Sequence, residues 1–188
     1  MKRGNKNIFN SNLSQQNHRG QVWIETVIYT LIAFVMIGLV LSFAKPKIEE
    51  IQDRAILQQS TEMMKQIDVT ILTMGAAGNQ RISEIGIKEG NLKIDGVNDK
   101  IIFELESQSV YSEPGKKIND GSIEILTEKR SGYNLVSLTR DYNKNYDLKF
   151  EGKDELKIIS HSSTSYDLTI RNEGAGDDNR IILNMSLN

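Results

Sequence analysis

Few residues in this chain have a type and spacing suited to chemistry, and the most conspicuous is a carboxylate in an apolar setting. Glu25 is the single charged side chain in Val22 to Ala44, VWIETVIYTLIAFVMIGLVLSFA, and Arg19-Gly20-Gln21 stands immediately before that run. The two histidines, His18 and His161, are isolated from one another. His161 lies in Ser160-His161-Ser162-Ser163, from which a serine–histidine–acid site can be drawn on paper. No nucleophile-elbow pattern accompanies it, so a solvent-exposed histidine is expected. Asp177-Asp178-Asn179 offers hard oxygen ligands, but without the ligand spacing of an EF-hand, and it reads as a polar hairpin loop. The chain contains no cysteine, which removes disulfides, thiol nucleophiles and thiolate-bound metal. It has neither a phosphate-binding P-loop nor a dinucleotide glycine signature. The expectation is a protein that is not an enzyme and needs no cofactor or metal. Asn184-Met185-Ser186 is an Asn-x-Ser sequon, a glycosylation acceptor where that face is exposed.

The element that must position Glu25 is the apolar run itself. A helix rises ~1.5 Å per residue, so Val22–Ala44 matches the ~30 Å hydrocarbon core of a bilayer. A carboxylate at the centre of such a span costs up to ~2.5–3.5 kcal/mol, and less near the interface, whereas each of about a dozen large apolar residues returns ~0.3–0.6 kcal/mol. Insertion therefore survives Glu25, although the helix would insert better without it. Acids kept inside a membrane span tend to serve a partner. Trp23 and Tyr29 are suited to the headgroup level as aromatic anchors. Gly38 is the one glycine in the run, and a lone Gly makes a weak packing motif.

What precedes the span is unusual in its order. A secretory signal peptide places its apolar segment before the cleavage site, whereas Met1–Gly20 holds no apolar segment and carries Lys2, Arg3, Lys6 and Arg19 without an acid. A cut after Gly20 would leave the apolar helix on the mature chain. The residues Arg19-Gly20-Gln21-Val22-Trp23-Ile24-Glu25 resemble the class III signal peptide of archaeal type IV pilins, in which a prepilin peptidase cuts between Gly and Gln and a Glu stands fifth in the mature chain. The resemblance covers the leader and first helix, about a quarter of the chain. Trp23 stands where the family often has Ser, and the Gly-Thr-Leu-Ile start common in archaellins is missing, which favours a pilin. The resemblance implies that Glu25 pairs with the α-amino group of Gln21 on a neighbouring subunit and so sets axial register. That amine has a reference pKa of ~7.7–8.0 and would be largely protonated at neutral pH. It also implies partners: further copies of the chain in a filament, the prepilin peptidase, a pilus assembly platform and the membrane.

Charge agrees with this arrangement. Taking the leader's four basic residues from the chain's 23 leaves 19 against 25 acidic ones, a formal charge of −6. A mildly acidic mature chain argues against nucleic acid as a partner, since phosphate binding needs a basic surface. The basic leader places the N-terminus in the cytoplasm and the rest outside, with Lys45 and Lys47 as a minor opposing signal.

Beyond Pro46 the segment Ile48–Met74 lacks Gly and Pro and is rich in helix formers. Ile56, Met63, Ile67, Ile71 and Met74 share one helical face, with Ile48, Ile51 and Ala55 about a quarter turn round. A continuous helix over 21–74, bent at Pro46, is expected, the alternative being two helices meeting there. Gly75–Asn79 ends it. Period-two alternation then predicts strands at Ile101/Phe103/Leu105, Tyr146/Leu148/Phe150, Tyr166/Leu168/Ile170 and Ile181/Leu183/Met185/Leu187, with weaker ones near 82–88, 91–94, 123–126, 135–139 and 156–159. Turn signals include Asp95-Gly96, Asn119-Asp120-Gly121 and the loop Gly174–Asn179. The fold class is therefore α+β: a cleaved leader 1–20, a helix 21–74 spanning the membrane at 22–44, and an antiparallel β-sandwich head at 80–188. The head from about Asn79 is expected to fold without the helix.

The function expected is that of a structural subunit of a pilus-like surface filament for adhesion or attachment. Two alternatives stay open at this point. One is a minor pilin or pseudopilin of a secretion or uptake machine. The other is a single-pass anchored extracellular binding protein that never polymerises and keeps its leader.

Overall fold

Two kinds of hydrophobic pattern, one unbroken and one periodic, produce two compact units, residues up to Lys45 and Pro46–Asn188. The structure, a computed structural model, describes residues 18–108 and 110–188, and the side chains of 18–21 are not among those described. Helix α1 covers His18–Leu72 and includes Pro46. It is one helix rather than two. It ends two residues before the expected Met74, where Met74 N turns in to Ile71 O at 3.2 Å. Asn172 closes that end: its side-chain amide donates to Gly75 O at 2.8 Å, while its backbone carbonyl accepts from Gly78 N at 2.7 Å. Helix C-termini leave carbonyls without intrahelical donors, and a side-chain amide supplies one here.

The strands after the helix are β1 (Gln80–Ile85), β2 (Asn91–Asp95), β3 (Lys100–Ser107), β4 (Lys117–Asp120), β5 (Ile123–Lys129), β6 (Asn134–Asp141), β7 (Tyr146–Phe150), β8 (Leu156–Ser160), β9 (Tyr166–Ala175) and β10 (Ile181–Leu187). They form a four-stranded sheet, β1-β9-β10-β7, and a six-stranded sheet, β4-β5-β6-β3-β2-β8. All pairings are antiparallel except β10 with β7, which is parallel in the register Ile181↔Tyr146 to Met185↔Phe150. The α+β class with two mainly antiparallel sheets is thus the observed architecture. Strand β4 was not anticipated, because all four of its residues are exposed and it has no buried alternate to reveal it. Residues 174 and 175, expected in a loop, are instead the end of β9.

Within the unit from Pro46 onward, α1 covers one face of the six-stranded sheet. Asp53 accepts from Ser107 Oγ at 2.6 Å and from Gln108 N at 2.9 Å. Asp68 accepts from Ser122 Oγ at 2.6 Å and from Arg140 Nε at 2.7 Å. Arg140 stands beside Ile101 in the β6–β3 ladder, so α1 runs against the direction of β3. The lengths agree: Asp53 to Asp68 rises about 22 Å on the helix, and Ile101 to Ser107 spans about 20 Å on the strand. Between the two pins lie Leu57, Met64 and Ile67, all essentially buried, in one cluster with Phe103, Leu105, Ile125, Val136 and Leu138.

The helical face differs in detail from the expected one. Met63, Ile67 and Ile71 are buried as the spacing implied, but Leu57 and Met64 are buried with them, and Ile56 and Met74 are only half-buried. Ile48 and Ile51 remain exposed. Asp99 ties the two sheets together at the opposite end from Ser107. It sits at φ 54° in the β2–β3 turn, its Oδ1 accepts from Leu148 N at 2.8 Å and its Oδ2 from Arg180 Nη1 at 2.5 Å. Gly96 in the same turn has no room for a side chain, because a Cβ would stand 2.8 Å from Leu148 O.

The head's core therefore includes residues 57–71 of α1, so the compact unit begins at Pro46 rather than at residue 80. A fragment starting at Asn79 is expected to expose the sheet face that α1 covers and to aggregate. A fragment starting at Pro46 should be monomeric with a mixed helix–strand circular dichroism spectrum. Size-exclusion chromatography of the two fragments checks this, and a monomeric, cooperatively melting 79–188 fragment would contradict the shared core.

Candidate assembly surface

In the unit up to Lys45, the large apolar side chains from Val22 to Phe43 are all exposed, with Trp23 at 72%, Tyr29 at 70% and Phe43 at 75%. This helix is the one span among the described residues long and apolar enough to cross a membrane, it lies near the N-terminus, and the most apolar stretch of it is not buried by any described residue. Exposed apolar surface of this extent is not stable against water and requires lipid or other protein. Polar groups inside the run are handled locally. Thr26 Oγ1 donates to Val22 O at 2.9 Å and Thr30 Oγ1 to Thr26 O at 2.8 Å, so both hydroxyls are satisfied within the helix.

Glu25 differs. It has no hydrogen-bond or ion-pair partner among the described residues, and the described side chains a turn away, Val22, Ile28 and Tyr29, carry no positive charge. Gly38 faces open space, with nothing within 4 Å of where a Cβ would lie. Arg19, Gly20 and Gln21, expected to mark a cleavage site, occupy the first turn of α1, but their side chains, and the residues before His18, lie outside the described residues.

The remaining sequence candidates are dispersed over the head. His161 is exposed, and it opens with Glu89, Glu104 and Glu106 onto a shallow groove of about 320 Å³. Ser162 Oγ is bonded to Thr164 rather than to His161, so the Ser-His-acid drawing is not assembled. Asp178 is engaged by Arg180, and that ion pair holds its carboxyl below the usual carboxylate range. Among the described residues no group of His, Asp or Glu is arranged to hold a metal ion. Asn184 lies in the middle of β10, half-exposed, with Oδ1 accepting from Gly152 N at 2.9 Å and Nδ2 donating to Glu173 at 2.9 Å. A glycan at Asn184 would displace the second of these bonds.

The residues that sequence reading overlooked are the pins of the helix. Arg140 is held by Asp68 and stacks over the Tyr142 ring at 4.8 Å from its centroid. Burial, together with the nearby Asp68 charge, pushes the Tyr142 hydroxyl well above its ordinary pKa, so it stays neutral. An arginine on an alternating strand and an aspartate on an amphipathic helix were the only local signals, and neither names its partner.

No protein-family model, no curated protein and no solved structure matches this chain.

One consequence of the span concerns insertion alone. Glu25→Gln should leave the protein in the carbonate-resistant membrane fraction. It should make insertion more favourable by at most ~3 kcal/mol, because a neutral amide costs less to bury than a carboxylate. A variant that becomes extractable would show that Glu25 contributes to membrane retention and overturn this account of the span.

Proposed function

We propose that the chain is a structural subunit of a type IV pilus-like surface filament, serving adhesion or attachment, and is processed from a prepilin between Gly20 and Gln21. The observation that carries the reading is the division of α1. Its part beyond Pro46 completes the core of the head, and its part from Val22 to Ala44 is apolar all round, exposed, and carries one acid without a partner among the described residues. A helix with that first half lies in lipid before assembly and among copies of itself afterwards. The move exchanges lipid contacts for helix–helix contacts and leaves the heads on the outside. The Arg19-Gly20-Gln21 context supports cleavage, which would create an α-amino group four residues before Glu25 and give that carboxylate a cation on a neighbouring copy. The head, whose polar faces are rich in Lys, Glu, Asp and Ser, would then face solvent.

Processing is tested by mass spectrometry of protein made in cells that contain a prepilin peptidase. The first residue should be Gln21 or its cyclised form, and Gly20 replaced by a bulky residue should leave the precursor uncut but inserted. An intact chain starting at Met1 would remove the pilin reading and favour a permanently anchored binding protein.

Assembly is tested separately with Glu25→Gln. The variant should be cleaved and inserted normally, yet its share in sheared filaments should fall steeply. Removing one member of a buried charge pair typically costs ~3–5 kcal/mol, or more than a hundredfold in an association constant. Filament yield equal to wild type would show that Glu25 has no assembly role.

A further inference from the structure

The four-stranded sheet ends in β1, which has a strand neighbour, β9, on one side only. Asn172 N donates to Asn79 O at 2.9 Å, and Asn188 N donates to Asp167 O at 3.1 Å. Carried along the alternation of an antiparallel ladder, both bonds assign the backbone groups of Arg81, Ser83 and Ile85 to β9. The N–H and C=O groups of Gln80, Ile82 and Glu84 therefore point away from β9, and no other described backbone group bonds them. The same three residues carry exposed side chains. Ile82 is 61% exposed, and the Gln80 amide and Glu84 carboxylate have no partner among the described residues.

The other sheet edges are closed or short. At β7 the β2–β3 turn lies against the strand, with Asp99 accepting from Leu148 N at 2.8 Å. At β8 the charged Lys157 lies over the Phe150 ring, 5.0 Å from its centroid, and a charge turned in at an edge keeps other strands away. Strand β4 has four residues, and its Lys117 and Asp120 are ion-paired to Glu124 and Lys65. Edge β1 has none of these guards.

We propose that β1 is a docking edge for a second copy of this chain: two β1 strands pair antiparallel about a two-fold axis at Ile82, joining their four-stranded sheets. The strand is self-complementary in this register. The outward backbone groups of Gln80, Ile82 and Glu84 meet those of Glu84, Ile82 and Gln80 on the other copy, giving about six hydrogen bonds. On the outer face Ile82 packs against Ile82, and each Gln80 amide donates to a Glu84 carboxylate. Arg81 meets Ser83 on the other face, so no like charges stand opposite one another. Centring on Arg81 would set two arginines face to face, and centring on Ser83 would put Glu84 against Ile82. One strand pair buries less than the ~1,200 Å² of a stable interface, so dilute heads stay separate and the contact forms where copies are crowded. The inference concerns the head alone and makes no use of cleavage or filament assembly.

Because the chain has no cysteine, Asp167→Cys and Arg171→Cys each give a unique, exposed site for a nitroxide on β9, opposite Glu84 and Gln80 respectively. In the paired state each label is three strand spacings and four residues from its copy, a backbone separation of ~20 Å. Pulsed electron paramagnetic resonance of the full chain in detergent micelles, concentrated toward millimolar, should show that separation at both sites. Its absence overturns the pairing, and unequal separations at 167 and 171 overturn the Ile82-centred register. In the Arg171→Cys protein, Gln80→Lys should raise the paired fraction roughly threefold or more by setting lysine opposite Glu84, and Gln80→Glu should lower it by a similar factor. A gain cannot come from misfolding. Unless both variants move in these directions, the Gln80–Glu84 contact falls and the proposed docking edge with it.

Discussion

The interaction on which the unit from Pro46 to Asn188 depends is the burial of one face of α1 against the six-stranded sheet. That sheet presents Ile101, Phe103, Leu105, Ile123, Ile125, Val136 and Leu138 on a single face, and without cover this face would meet water. Leu57, Met64, Ile67 and Ile71 supply the cover. Apolar packing alone has little directional preference, so a slide of the helix by one turn would still bury hydrocarbon. The carboxylates remove that freedom. Asp68 is buried against Arg140 and Ser122, and the half-buried Asp53 is bonded by Ser107 and Gln108, so a slide would leave the Asp68 charge desolvated and unpaired and break the bonds to Asp53.

The same helix solves two solvation problems with different side-chain patterns. From Pro46 to Leu72 it is amphipathic: Gln58, Gln59, Glu62 and Gln66 face water while the opposite side faces the sheet. From Val22 to Ala44 it has no polar side, and its two threonine hydroxyls are turned back onto its own carbonyls. An amphipathic half can be completed by its own chain. A half that is apolar all round cannot be completed by one sheet, because a single neighbour covers only part of a cylinder. Its environment is therefore a bilayer or several other helices, and the proposed life of the chain uses both in turn. Glu25 fits the second better than the first, since a bilayer offers no fixed cation, whereas a copy cleaved after Gly20, as proposed, would offer one.

The polar ties elsewhere in the head follow the same logic as Asp68. Asp99 joins the β2–β3 turn to β7 and to Arg180 before β10, and Asn172 joins β9 to the end of the helix. Each lies where two elements distant in sequence meet, and each satisfies backbone or charged groups that the meeting would otherwise strip of water. They explain how a head without disulfides is held in one arrangement.

What was legible in the sequence was whatever depends on local pattern. Helix α1 and most strands could be read because alternation at Ile101/Phe103/Leu105 or Ile181/Leu183/Met185 records which face of a strand is buried, and an unbroken apolar run records an environment without water. Strand β4 escaped because an edge strand with both faces exposed leaves no such record. The parallel pairing of β7 with β10 and the docking of Asp53 and Asp68 onto Ser107 and Arg140 were decided only by the tertiary structure. They join residues tens of positions apart, and an aspartate on a helix looks the same in sequence whether it meets water or an arginine. The sequence by itself determined the elements, their faces and the apolar span with its lone acid. Tertiary structure decided that the second half of the helix belongs to the core of the head, because burial is a property of what arrives from elsewhere in the chain.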